Sequence, residues 1–103
     1  MDFNKFTIKS QEAIQQAQNS AESNGHGVID TSHLLKGIFV ADKDVMPYLL
    51  QKLNLTPALI ESVTDKMIQS YPKVTGGQLH LSQKALSVLN KALEEMKQFG
   101  DEF

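Results

Sequence analysis

Cysteine and arginine are both absent from these 103 residues. Without cysteine there is no disulfide framework and no thiolate, whether as nucleophile or as metal ligand, a usage that fits a cytoplasmic protein. All positive charges are lysine, and the net charge is −2. The bidentate guanidinium contacts that read guanine edges are therefore missing, and the lysines form no continuous counterion-releasing stripe. Nucleic acid is excluded as a partner on that basis. No apolar run approaches the roughly 20 residues needed to span a bilayer, so no membrane association is expected. The start, Met1-Asp2-Phe3-Asn4-Lys5, lacks the apolar stretch of a signal peptide.

Catalytic signatures are missing as well. No G-x-x-x-x-G-K-[ST] loop is present, so the chain itself is expected to hold no nucleotide cofactor, and Gly76-Gly77 reads as a hinge. His26 and His33 sit seven apart across a helix boundary, and His80 lies elsewhere, so no metal site is expected. His33 reads as a first-turn residue that packs or hydrogen-bonds locally. Glu94-Glu95 and Asp101-Glu102 are better read as solvated faces than as acid–base pairs. The chain alone is not expected to be an enzyme.

What is present is a repetition. Ile8-Lys9-Ser10-Gln11-Glu12-Ala13-Ile14 recurs 72 residues later as His80-Leu81-Ser82-Gln83-Lys84-Ala85-Leu86, with Ser, Gln and Ala identical. Each copy opens an amphipathic segment, continued by Ala17 and Ala21 in the first and by Leu89 and Leu93 in the second. Repeats of this size are modules that bury an apolar face against a copy of themselves. The second copy is expected to be incomplete at Phe103.

Five helices are predicted, and the class is all-α. The first runs from near Thr7 to Asn24, started by Phe6-Thr7 and stopped by Gly25 and Gly27. Its stripe of Ala13, Ala17 and Ala21 would let a partner helix approach closely. Asp30 caps a second helix with Leu34, Leu35, Ile38 and Phe39 inward. After the polar break Asp42-Lys43-Asp44, a short third helix carries Val45, Leu49, Leu50 and Leu53, and Asn54 ends it. Thr56-Pro57 starts a fourth, a hydroxyl cap followed by proline at the first helical position, which presents Leu59, Ile60, Val63 and Met67. Tyr71-Pro72 ends that helix, because the residue before proline is pushed from helical geometry. Pro72 to His80 reads as a flexible linker, with β character only at Lys73-Val74-Thr75. Ser82 caps a fifth helix, with Leu86, Leu89, Leu93 and Met96 on one face, closing at Gly100.

Three stretches together carry a family resemblance: Phe6-Thr7-x-Lys9-Ser10-Gln11-x-Ala13, Val28-Ile29-Asp30-x-x-His33-Leu34-Leu35-x-Gly37-Ile38, and Leu81-Ser82-Gln83-x-Ala85-Leu86-x-Val88-Leu89-Asn90-x-Ala92. The chain resembles the N-terminal domain of ClpB-type AAA+ protein disaggregases, the double Clp repeat. The resemblance implies a four-helix repeat over 1–71, a Gly/Pro-containing linker over 72–81, and the first helix of an incomplete second repeat over 82–103. It implies a module tethered to ATPase domains of a hexamer, which would hold the ATP and Mg that this chain does not. Its implied role is to engage unfolded or aggregated polypeptide through a hydrophobic groove between the repeats.

The substrate-handling positions of the family carry over to Thr7, Ser82, Leu89 and Asp101. Each also has a plainer reading: Thr7 and Ser82 as helix caps, Leu89 as core, and Asp101 as a turn residue after Gly100. Two other functions stay open, an adaptor-docking module as in the related ClpA and ClpC N-domains, and a stand-alone structural Clp-repeat protein. Finally, the apolar stripe of the fifth helix needs a cover. It must pack on the first repeat, pair with a second molecule, or stay exposed, and self-association as a twofold dimer is the expectation.

Overall fold

A computed structural model describes residues 2–99, without the side chains of Lys5 and of 96–99. A 3-10 turn at Phe3–Lys5 leads into α1 (Ile8–Ser23). Then come β1 (Val28–Ile29), α2 (Thr31–Ala41), α3 (Val45–Lys52), α4 (Pro57–Gln69), β2 (His80–Leu81) and α5 (Gln83–Phe99). The class is all-α, as expected.

The expected limits of the first helix are its two caps. Thr7 Oγ1 accepts from the Ser10 amide at 3.2 Å, satisfying a first-turn donor that has no intrahelical partner. At the other end Gly25, at φ +73°, closes a Schellman motif in which the Gly25 amide donates to Glu22 and the His26 amide to Ala21. That motif fixes where His26 enters the fold. Ala13, Ala17 and Ala21 are buried, and α2 lies directly on them. A Cβ on Gly37 would overlap the Ala13 carbonyl oxygen and stand 3.0 Å from the Ala17 nitrogen. The alanine stripe thus meets a glycine, and two backbones touch where bulkier residues would hold them apart.

Asp42 gives the polar break a job. Its carboxylate accepts from the amides of Asp44, Val45 and Met46 at 2.8–3.0 Å, and so covers the first turn of α3. Those bonds, that from Asp44 foremost, hold its pKa below the ordinary value of 3.8. Asn54, at φ 60°, ends α3 as expected. Pro57 opens α4 as expected, although the Thr56 hydroxyl makes no capping bond.

Two sequence expectations are corrected. First, α4 turns a different face inward. Thr64 and Ile68 are buried, while Leu59, Val63 and Met67 are about half exposed or more. The rotation lets Lys36 of α2 reach Glu61 at 2.7 Å and Asp65 at 3.0 Å. The buried Thr64 hydroxyl meanwhile donates to the Ile60 carbonyl within its own helix. On α3 only Leu50 is buried, and Val45, Leu49 and Leu53 face out.

Second, the segment after Pro72 is stitched down. The Val74 amide donates to the Gly25 carbonyl at 2.9 Å. His80-Leu81 forms β2, parallel to β1, with Val28 opposite His80 and Ile29 opposite Leu81. The Ser82 amide then donates to the Ile29 carbonyl. Ile29, Leu79 and Leu81 all join the core, and this burial gives the pairing an apolar reason that a two-residue strand could not signal in sequence. Gly76 and Gly77, both at positive φ, make the turn between the two stitches.

The core unites the repeats. Phe6, Ala17, Ala21, Ile29 and Leu34 pack with Ala85 and Leu89 of α5, flanked by Ile14, Ala92 and Leu93. Of the three possible covers for the α5 stripe, the first repeat supplies one. The reason for expecting a dimer built on exposed fifth helices therefore falls away. Met96 and Gly100, also assigned to that helix from the sequence, lie outside the described side chains and residues.

Candidate functional site

An apolar hollow lies at the junction of the 3-10 turn, α1, α2 and α5. Phe6, Ser10, Ala13, Ile14, Leu34, Ile38, Val88, Leu89 and Ala92 line a recess of about 180 Å³. Small residues make it: Ser10 and Ala13 leave room on α1 between the larger Phe6, Leu34 and Leu89. The recess opens into a wider hollow of about 560 Å³ that shares Ser10, Ala13 and Ile38. The wider part continues past Thr7, Lys9, Ala41, Asp42 and Val45. The two hollows share that wall and together outline a groove, apolar beneath α5 and polar near Lys9 and Asp42. Lys9 adds a minor Coulombic share to the lowered pKa of Asp42.

Of the residues singled out from the sequence, two meet at this groove. Thr7 is the α1 cap and also lines the outer hollow. Leu89 belongs to the core, at 7% exposed, and also floors the recess. Of the two readings of Leu89, the structure bears out the plainer one, a buried core residue. Ser82 lies away from the groove. Its Oγ accepts from the Ala85 amide and donates to Asp30 Oδ1, both at 3.0 Å, so it caps α5 and ties that helix to the start of α2. Asp101 lies outside the described residues. Val88, 51% exposed, is a groove residue that the sequence reading missed, and Ile38, expected to face inward on α2, is instead 38% exposed and lines the recess. Their only signal was an apolar residue on the edge of a stripe.

A second cluster is wholly internal. His33 is fully buried and His26 nearly so. His33 completes an unusual capping box, in which its Nδ1 accepts from the Asp30 amide at 2.9 Å. Its Nε2 stands 2.9 Å from His26 Nδ1. Tyr71 packs against both rings, and its hydroxyl pairs with Ser32 Oγ at 2.7 Å. Burial lowers the pKa of His33, His26 adds to the effect, and Asp30 opposes it. His33 does bond locally, as its first-turn position suggested. Its contact with His26 was invisible, because seven residues and a Schellman turn separate them. Among the described residues no three His, Cys, Asp or Glu side chains gather as metal ligands, and no helix is long and apolar enough to cross a membrane.

Known proteins share this fold. The model of the Clp repeat (R) N-terminal domain matches residues 5–103. The chain is 44% identical over 103 residues to the chaperone protein ClpB of Bacteroides thetaiotaomicron, and 34% identical to that of Porphyromonas gingivalis. Both matches cover the whole of this chain and 12% of the relative. The Hsp104 N-terminal domain from Candida albicans superposes with a TM-score of 0.82 at 18% identity, over 96% of this chain and 66% of that one. The N-terminal domain of the caseinolytic protease associated chaperone ClpD from Arabidopsis thaliana gives 0.73 at 21% identity, covering 100% of this chain and 71% of that one. Given a family match over almost its whole length and these shared helices, the chain belongs to the Clp repeat N-terminal domain family.

Proposed function

We propose that this chain is the substrate-engaging module of a ClpB-type, ATP-dependent disaggregase, and that it takes unfolded or aggregated polypeptide in the groove between α5 and the first repeat. The observation that carries this reading is the groove itself, an apolar recess walled by both repeats with a polar mouth. Unfolded chains offer exposed apolar side chains without fixed shape, so a permissive hydrophobic slot suits them. A recess of about 180 Å³ holds little more than one large side chain. Burying one is worth roughly 1.5–3 kcal/mol before ordering costs, which makes single-site capture weak. Several such modules on one hexamer would compensate through effective concentration. ATP and Mg act in other parts of such a protein, residues 1–103 carry no catalytic step, and the setting is cytoplasmic.

The test is a titration of isotope-labelled protein with an unfolded model protein. Amide shifts should gather at Thr7, Ser10, Ile38 and Leu89. Shifts confined to the exposed face of α3 and α4, or no shifts at all, would refute the groove. Binding only to a folded adaptor would turn the reading toward a docking module.

A further inference from the structure

The buried histidine pair fixes its own protons. The Asp30 amide donates to His33 Nδ1, so that nitrogen is bare and the ring proton sits on Nε2. Nε2–H in turn points at His26 Nδ1, which must also be bare. Only one proton fits between the two rings. A proton added to His33 goes to Nδ1, where it faces the Asp30 N–H head-on.

Asp30 links this pair to the second repeat. Its Oδ1 accepts from the Thr31 amide at 2.8 Å and from the Ser82 hydroxyl at 3.0 Å. Ser82 starts α5, and its amide is bonded to Ile29, next to Asp30. A charged His33 turns Nδ1 from acceptor into donor, and the nearest anion able to take that bond is the Asp30 carboxylate. A carboxylate turning toward that proton is drawn away from the bonds it accepts from Thr31 and Ser82.

We infer that His26 and His33 form an acid-sensitive latch: protonation of the pair draws Asp30 off Ser82 and loosens the start of α5 on the first repeat. The surroundings leave the pair in control of this. Tyr71 and Ser32 bond each other, Lys36 of α2 is held by Glu61 and Asp65 of α4, and the stem of Lys73 runs beside Gly25. His80 of β2 is exposed and serves as the control. The direction of the His33 shift agrees. Burial holds the His33 pKa below 6.5, so an unlatched state that lets water reach the ring binds more protons, and latching is complete above 6.5 and weakens as pH falls toward the folded value. The latch does not depend on the groove being a binding site.

Ring nitrogen shifts and amide exchange, followed from about pH 8 to about pH 5 on the same protein, test it. Protection of the start of α5 and of β2, corrected for intrinsic exchange, should fall by up to about tenfold per pH unit below 6.5 and level off where the His33 ring titrates. In His33→Gln, whose amide can both accept from Asp30 and donate to His26, protection should be flat, whereas His80→Gln should behave as the unaltered protein. Constant α5 protection, an equal fall in His33→Gln, or equal loss throughout α1 and α2 would each overturn the latch. If His33→Gln does not fold, the levelling of α5 opening at the pH where the ring titrates in the unaltered protein decides alone.

Discussion

Gly37 and Ala13 bring α2 and α1 into backbone contact, with no room for a methyl group on the glycine. Replacing Gly37 with Ala must push the helices apart or bend one of them. We expect a loss of about 1–3 kcal/mol in urea unfolding, the usual cost of overpacking, and a deformed groove, since Ala13 forms part of its floor. An unchanged midpoint would mean that the crossing yields easily.

Leu89 and Val88 should separate stability from capture. Leu89→Ala removes a core side chain and should cost about 2–5 kcal/mol. Val88 is half exposed at the groove rim, so Val88→Gln should stay within about 0.5 kcal/mol of the parent and yet weaken retention of unfolded protein. Calorimetry and a binding titration on both variants check this. Equal capture by Val88→Gln would remove the rim from the binding surface.

Both cap hydroxyls should cost something when lost, and unequally. Thr7→Ala loses the bond from the Ser10 amide, and about 1 kcal/mol is expected. Ser82→Ala loses its own cap and also the tie to Asp30, so it should cost more, toward about 2 kcal/mol. Chemical denaturation of the pair gives the order, and a larger loss at Thr7 would show that the tie to Asp30 contributes nothing.

Acid should fray α3 from its start. The Asp42 pKa is lowered, so its carboxylate contributes stability that is complete above 3.8 and lost as pH falls through the folded value. Exchange at the Val45 and Met46 amides, followed down through that window, should quicken before that of α1. Asp42→Asn should quicken the same amides already at neutral pH.

The helices were legible because their punctuation is strong. Thr7, Gly25, Asp30, Asn54 and Pro57 each impose a backbone state, and each stands where an element starts or stops. Faces were less legible. Leu59, Ile60, Val63 and Met67 make as good an apolar stripe as the face that holds Thr64 and Ile68, and the packing of α4 on α2 selects the second. β2 was illegible because two residues show no alternation, and its partner lies far off in sequence. At the groove, Leu89 stood out as the centre of a stripe, whereas Ile38 and Val88 lie on stripe edges. An edge residue looks the same whether solvent or a ligand faces it.

The tie between Ser82 and Asp30 spans 52 positions of sequence, and that distance sets an order of assembly. Closing a loop of that length costs about 3.5 kcal/mol of chain entropy, whereas α1 and α2 meet across one short turn. Local contacts form first when long-range ones must offset such a cost. The first repeat should therefore be complete in the folding transition state, with α5 arriving afterwards. Substitutions at Ala85 or Leu89 should then speed unfolding and leave the folding rate nearly untouched. A helix that docks last also leaves first, so the junction that walls the groove should open before α1 and α2 part.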